Sequence, residues 1–572
     1  MTDSKSDPAA AFAELNRLLL GDAAEKLGAA QALPGFAEMI GRLSAGAAAD
    51  SERWLELNSR YYREQLALWQ SFMNPQDGQS SPPPPADRRF RAPEWQEPYY
   101  SYLAHSYLLS ARWLEELTAA AKLDDHPRRK LDFFTRQMID SMSPANFPWT
   151  NPEAIRLAAE TEGESISCGL KNLAADIERG LVSMTDETAF EVGRNLAITP
   201  GSVVFENDFM QLIQYAPQTA EVHARPLVMI PPCINKYYIL DLQPDNSFVR
   251  HAITAGHTVF MVSWRNMPAE MGRATWDDYL EQGVMRALTV AREITGAEQV
   301  NALGFCVGGT LLASALAVLR ARGENPAASL TLLTTMLDFS DTGELSVFID
   351  EQYVVAREAE FAEGGLLRGR ELARTFASLR ANDLIWPYVV NNYLKGRTPE
   401  AFDLLYWNSD STNLPGVMFK YYVRNTYLEN RLRVPGALTM CGVPVDLGCV
   451  DMPAYLLAAR EDHIVPWRTA YASTGLLGGP VRFVLAASGH IAGVINPAAR
   501  NKRNFWTRDT LDPQADAWLE GATSVPGSWW AHWTTWLETH GGGRIAAPVA
   551  PGSALHPPIE EAPGRYVKDK NA

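Results

Sequence analysis

Cysteine is scarce in this chain, with five among 572 residues: Cys168, Cys233, Cys306, Cys441 and Cys449. Their odd number and wide spacing do not make a disulfide framework, and no CxxC or HxxxH pair offers the spacing of a zinc site. Long apolar runs are missing too, since no stretch approaches the ~18 residues of a membrane span. Excess positive charge is also absent: 51 Lys+Arg stand against 67 Asp+Glu, a formal charge of −16. Without a basic face, a general nucleic-acid binder has no means of displacing phosphate counterions. The opening MTDSKSDPAAAFAELNR is polar and acidic and lacks the basic and apolar regions of a signal peptide. A reducing cytoplasm is the expected compartment. What remains is ordinary globular composition, 46% hydrophobic and 21% charged, in a chain long enough for several domains and a large core.

Residues 1–190 carry helical periodicity and almost no strand signal, which predicts a mostly helical N-terminal domain with residues 1–10 and 76–90 flexible. Leu15, Leu18 and Leu19 share one helical face; Tyr62, Leu66, Trp69 and Met73 recur at three- and four-residue spacing on another. Pro82 to Pro85 cannot continue a helix and predict an extended linker. Beyond it, Tyr99, Tyr102, Leu103, Trp113, Leu114 and Leu117 mark a further amphipathic helix. Such stripes are expected to be packing faces.

From about residue 191 the texture changes, and this second region is expected to run to residue 572. Short β-rich runs alternate with helix-length stretches: Leu227–Ile230, Thr258–Ser263, Val300–Leu303, Leu330–Thr335, Tyr455–Ala458 and Val481–Leu485. That alternation predicts an α/β domain, a parallel sheet covered on both faces. Between the fourth and fifth runs lie residues 341–433, rich in aromatics and too long for a plain loop, so a cap subdomain is expected there.

The sharpest local signal is Gly304-Phe305-Cys306-Val307-Gly308-Gly309, preceded by an apolar run and followed by LLASALAVLRAR. This is strand, tight turn and helix, with a potential nucleophile at the apex: a G-x-S-x-G elbow with Cys in place of Ser. Glycines at −2 and +2 leave room where strand and helix nearly touch, and the helix N-terminus favours a thiolate. The elbow chemistry requires a carboxylate and then a histidine later in the chain. Arg460-Glu461-Asp462-His463 follows one predicted strand, and Ser488-Gly489-His490 follows the next. His490 is the better base because it follows the last strand; Asp462 is the acid, with Glu461 its rival, and His463 is assigned a structural place. The oxyanion donors are expected to be the backbone N–H of Val307 and one from the loop Pro231-Pro232-Cys233-Ile234-Asn235-Lys236. Prolines have no N–H, so the second donor is Cys233 or beyond, and Ile234 is chosen.

At this point the motifs carry a resemblance. GFCVGG, PPCINKYYILDLQPD, SWRN, LLYWNSDSTNLPG, CGVPVDL, AREDHIVPW, SGHIAGVINP and GSWW, in this order from about residue 90 onward, resemble the polyhydroxyalkanoate synthases, which polymerise hydroxyacyl-CoA thioesters. A GFCVGG box in one long chain is similar to the class I enzymes, which favour short-chain monomers. The resemblance implies an α/β-hydrolase fold with a cap, and Cys306 as acyl carrier with His490 as base and Asp462 as third catalytic residue. It also implies a homodimer with Trp407 near the dimer contact, residence on the polymer granule, and (R)-3-hydroxyacyl-CoA as substrate. No separate cofactor or metal is implied, because coenzyme A enters with the substrate and leaves as product. The helical N-terminal region is a candidate for contacts with granule proteins.

The chemistry agrees with that implication. Exchange of a cysteine thiol for CoA is nearly isoenergetic, and the hydroxyl of the next monomer needs a base within ~2.6–3.2 Å. Two other classes stay open: a hydrolase of esters or polyesters using the same three residues, and a non-enzymatic granule scaffold. The C-terminal Trp529, Trp530, Trp533 and Trp536 are spaced for core packing.

Overall fold

The computed structural model describes residue 41, residues 50–73, residue 83 and residues 85–570. Leu15, Leu18 and Leu19, residues 1–10, and Pro82 and Pro84 of the proline run lie outside the described residues. The chain divides into two compact units. One combines the chain up to Asp186 with Arg374–Ala401; the other combines Glu187–Ala373 with Phe402–Ala572. The stretch 341–433, expected as a single cap, is thus split: its middle belongs with the N-terminal helices.

The first unit is built on helices α1 (Ser51–Met73), α2 (Pro98–Ala120), α3 (Asp125–Ser141), α4 (Pro152–Glu160) and α5 (Glu164–Arg179). Asn151 shows how its ends are made: the side chain accepts the Ala154 N–H at 3.0 Å, and Pro152 occupies the first helical position. Part of the stretch expected to be flexible is ordered, because Arg88–Phe90 forms a short turn with Phe90 buried. The aromatic stripe of α1 also differs from expectation. Tyr62, Leu66, Trp69 and Met73 are 47–69% exposed. The face that meets α2 is set one residue back, with Tyr61 stacked on Trp113 at 4.6 Å and Gln65 bonded to Ser106. One residue is 100° of helix rotation, enough to turn the apolar stripe to solvent.

The second unit is centred on one eleven-stranded sheet. Its strands are β1 (Gly201–Glu206), β2 (Met210–Tyr215), β3 (Leu227–Ile230), β4 (Val259–Trp264), β5 (Val300–Phe305), β6 (Ala327–Leu333), β7 (Ala454–Ala459), β8 (Val481–Ala486), β9 (Asn504–Thr507), β10 (Thr523–Pro526) and β11 (Glu560–Glu561). They lie in the order β10-β9-β8-β7-β6-β5-β3-β4-β2-β1-β11. The six strands from β3 to β8 pair in parallel, and they coincide with the six runs predicted from sequence. The edges are antiparallel, an addition to the all-parallel expectation.

Alternation along the strands feeds two cores. Val228, Ile230, Ala302, Leu330, Leu456 and Phe483 pack on one face with α7 (Arg286–Thr295) and α8 (Val307–Ala321). Leu227, Met229, Leu303, Phe305, Leu457 and Val484 pack on the other with α6 (Phe248–Thr254) and α10 (Trp529–Glu538). Every residue of β3, β4, β5 and β7 is buried, as a sheet sandwiched by helices requires. Trp529, Trp530 and Trp533 are core residues at 0–2% exposure. The C-terminal ends of β3, β5, β7 and β8 converge on the region described next.

Candidate active site

Cys306 stands between β5 and α8 with φ 52° and ψ −129°, a backbone region that non-glycine residues occupy only where surroundings enforce it. The enforcement is visible. The Cys306 amide donates to the Leu333 carbonyl at 2.9 Å, and the Thr335 hydroxyl donates to the Cys306 carbonyl at 3.2 Å. Glycines are required on either side: a Cβ on Gly304 would lie 2.4 Å from the Gly309 Cα, and one on Gly308 would lie 2.4 Å from the carbonyl oxygens of Ile230 and Pro231. The thiol is half-buried at the head of a fifteen-residue helix, whose terminal amides place positive potential there.

Asp462 and His490 come together behind it. His490 opens the short helix α9 (His490–Val494), and its Nδ1 lies 2.7 Å from Asp462 Oδ2. Asp462 cannot swing, because its Oδ1 accepts the amides of Ile464 and Val465, both at 2.9 Å. The imidazole stacks on Phe305 at 5.6 Å, and both side chains are almost fully buried. Burial alone would push the His490 imidazolium down. The Asp462 carboxylate and the Cys306 thiol beside it outweigh burial and hold it raised to about 10. With Nδ1 taken by the carboxylate, Nε2 is the ring nitrogen that remains for proton exchange.

The rivals go elsewhere. Glu461 is exposed, and the partner of His490 is Asp462, not Glu461. His463 is half-buried and stands outside the hydrogen-bonded pair. Cys233 is buried, and burial pushes its thiol up to about 12, which leaves it inert.

The two segments expected to supply the oxyanion donors lie side by side. The loop after β3 runs against the elbow at Gly308, next to Val307. Neither the Val307 nor the Ile234 amide has an acceptor among the described residues, so both N–H groups are available to a developing negative charge.

Some contributors escaped the sequence reading. Tyr422 and Tyr427 meet edge to face at 5.5 Å. Burial first holds both hydroxyls above their ordinary range; Tyr427 and the Cys306 sulfur add to this for Tyr422, and the Cys306 sulfur adds to it for Tyr427 against the opposing bond with Tyr422. Trp407, expected near a dimer contact, is buried, and its indole N–H donates to the Lys236 carbonyl at 2.7 Å. The indoles of Trp529 and Trp530 donate to the Gly493 and Val494 carbonyls, both at 2.9 Å, and so hold the helix that carries His490. An indole N–H in a buried stripe was the available signal, because it needs an acceptor. Among the described residues no group of three or more His, Cys, Asp or Glu is set to hold a metal ion.

Comparison with known proteins completes the picture. Residues 86–252 match the family described as poly-beta-hydroxybutyrate polymerase (PhaC) N-terminus. Residues 226–497 match the alpha/beta hydrolase fold. The chain is 53% identical over 577 aligned positions to the poly(3-hydroxyalkanoate) polymerase subunit PhaC of Cupriavidus necator, spanning 100% of this chain and 96% of that one. The chain belongs to the poly(3-hydroxyalkanoate) polymerase family.

Other members are similar over most of their length. The poly(3-hydroxyalkanoate) polymerase of Methylorubrum extorquens is 42% identical over 532 positions, covering 91% of this chain and 88% of that one. The corresponding PhaC subunit of Rhizobium meliloti is 41% identical over 529, covering 91% and 86%. The second unit has the α/β-hydrolase fold, preceded by a helical region, and the chain is an enzyme of this polymerase family. No helix among the described residues is long and apolar enough to cross a membrane.

Proposed function

We propose that this polymerase builds polyhydroxyalkanoate from (R)-3-hydroxyacyl-CoA, 3-hydroxybutyryl-CoA and other short-chain monomers foremost, through an acyl chain held on Cys306. The observation that carries the reading is the buried Asp462–His490 pair behind a strained cysteine at a helix N-terminus.

His490 takes the Cys306 proton, and the thiolate attacks the thioester carbonyl of the first monomer. The tetrahedral oxyanion is held by the Val307 and Ile234 N–H groups. It collapses with departure of the CoA sulfur, which receives the proton from His490. The 3-hydroxyl of the next monomer then gives its proton to His490 and attacks the acyl-Cys306 carbonyl, with Asp462 orienting the ring or acting on the hydroxyl itself. The thiolate leaves, and the lengthened chain returns to Cys306 by the same exchange, displacing CoA. Water would intercept the acyl group in an open site. Tyr422 and Tyr427 are buried near enough to Cys306 for its sulfur to act on their hydroxyls, and a site walled by such buried rings keeps water from competing with the hydroxyl nucleophile.

On this reading the enzyme works in the cytoplasm on the surface of its own polymer granule, as a homodimer, with no cofactor beyond the CoA of its substrate. The experiment that tests it uses labelled 3-hydroxybutyryl-CoA, rapid acid quench and digestion. Label is expected on the peptide bearing Cys306, with release of CoA and an insoluble product. Label on any other peptide overturns the acyl-cysteine route; soluble acids as sole product turn the reading into that of a hydrolase.

A further inference from the structure

In the loop after β3, the carbonyls of Cys233, Ile234 and Lys236 are held by partners in the segment 407–412. The Thr412 hydroxyl donates to the Cys233 carbonyl at 2.6 Å, and the Thr412 amide donates to the Ile234 carbonyl at 3.0 Å. Asn235 forms an antiparallel bridge with Ser411, and Trp407 holds the Lys236 carbonyl. Thr412 is 1% exposed, so its hydroxyl is held away from bulk solvent.

The bond to Cys233 has a particular consequence. A trans peptide is planar, and its C=O and N–H point in opposite directions. The carbonyl of Cys233 and the amide of Ile234 belong to one such plane. A hydroxyl that holds this carbonyl on one side therefore aims the Ile234 N–H to the other, and that amide has no acceptor of its own among the described residues. The same loop meets the elbow at Gly308. We propose that Thr412 is a positioning residue for the oxyanion hole: its hydroxyl fixes the Cys233–Ile234 peptide plane so that the Ile234 N–H faces the reacting carbonyl on Cys306. This rests on the acyl-cysteine reading above and adds to it the element that sets the geometry of the second donor. The Thr412 side chain touches no reacting atom; its effect passes through the peptide bond.

Thr412→Val keeps the branched shape and removes the donor; Thr412→Ser keeps the hydroxyl. Two rates are compared on the full-length enzyme. One is single-turnover CoA release from 3-hydroxybutyryl-CoA, which passes through an oxyanion. The other is alkylation of Cys306 by iodoacetamide, which does not. In Thr412→Val, CoA release is expected to fall at least tenfold, toward the ~10²–10³-fold typical of a lost oxyanion donor, with KM little changed and alkylation at the wild-type rate. Thr412→Ser is expected to recover CoA release to within a few fold. Wild-type CoA release by Thr412→Val overturns the proposal. So does a parallel loss of alkylation, which would place the defect in the nucleophile or the fold. Should Thr412→Val be insoluble, Thr412→Cys, a weak donor of similar size, is expected to give an intermediate rate with normal alkylation; a wild-type rate in that variant overturns the proposal equally. Absence of label on Cys306 in the wild-type enzyme is a separate outcome, which defeats the acyl-cysteine reading itself.

Discussion

Nδ1 of His490 lies 2.7 Å from Oδ2 of Asp462, although 28 residues separate them in sequence. Two adjacent parallel strands, β7 and β8, end side by side and hand these side chains to each other. The pair is a product of register: Ala459 is level with Ala486, and Asp462 and His490 each follow within a few positions.

The first prediction separates the two carboxylates that the sequence left as rivals. Asp462→Asn keeps the shape but loses the acceptor charge that sets the His490 tautomer, and CoA release is expected to fall by ~10³–10⁴-fold. Glu461→Gln, at an exposed site, is expected to stay within about twofold of wild type. Equal losses in the two variants would remove Asp462 from its assigned place.

A second prediction concerns pH. His490 is held at about 10 in the folded chain against 6.5 for a free imidazole. The folded chain therefore binds this proton more tightly than the unfolded chain. The resulting stabilisation is complete below about pH 6.5 and fades as the pH climbs through about 10. Urea midpoints of wild type and His490→Gln, measured from pH 6 to pH 10, should converge at the alkaline end. A gap that widens with pH contradicts the assignment.

The third prediction tests the tight contact at the elbow. Gly308→Ala would drive a methyl against two backbone carbonyls at 2.4 Å, and backbone cannot rotate away as a side chain can. A loss of about 1–3 kcal/mol is expected from overpacking, read by denaturant unfolding, together with loss of turnover as Cys306 shifts. Unchanged unfolding and turnover would mean that the loop after β3 yields freely.

The fourth follows from Lys236, which is 2% exposed. Its ammonium donates to the backbone carbonyls of Tyr566 and Asp569 near the C-terminus. Burial lowers its pKa, opposed by the Asp410 and Asp569 carboxylates. Ending the chain at Arg565 leaves this buried charge without its carbonyls, an expected cost of about 1–3 kcal/mol, measured by thermal unfolding. Lys236→Met in the shortened chain should recover part of the loss, because it removes the stranded charge as well. No recovery would show that the tail stabilises the unit by other contacts.

Much of this protein is legible in its amino-acid order because the relevant physics is local. The six central strands announce themselves as β-rich runs, since strands buried on both faces carry no polar alternation. The elbow announces itself because strand, cysteine and helix cannot meet without glycines at 304 and 308. His490 and Asp462 follow from their places just after strands. The antiparallel edge strands were harder to see: β1, GSVVFE, and β9, NFWT, are mixed in polarity and only partly buried, so no continuous apolar run marks them.

What the order of residues could not convey is which groups meet across long intervals. Periodicity identified an apolar stripe on α1, but the face that packs on α2 lies 100° away, a choice made by Tyr61 and Gln65 finding partners on another helix. The stretch 341–433 looked like one insertion, yet contacts assign its centre to the helical unit. Thr412, Lys236 and Trp407 stand inside quoted motifs, yet nothing in those motifs tells that the hydroxyl and the indole reach carbonyls of the loop after β3, or that the ammonium reaches those of Tyr566 and Asp569. Local backbone sterics therefore wrote the elbow at Cys306 into the sequence, while the orientation of the groups around it was decided by tertiary hydrogen bonds.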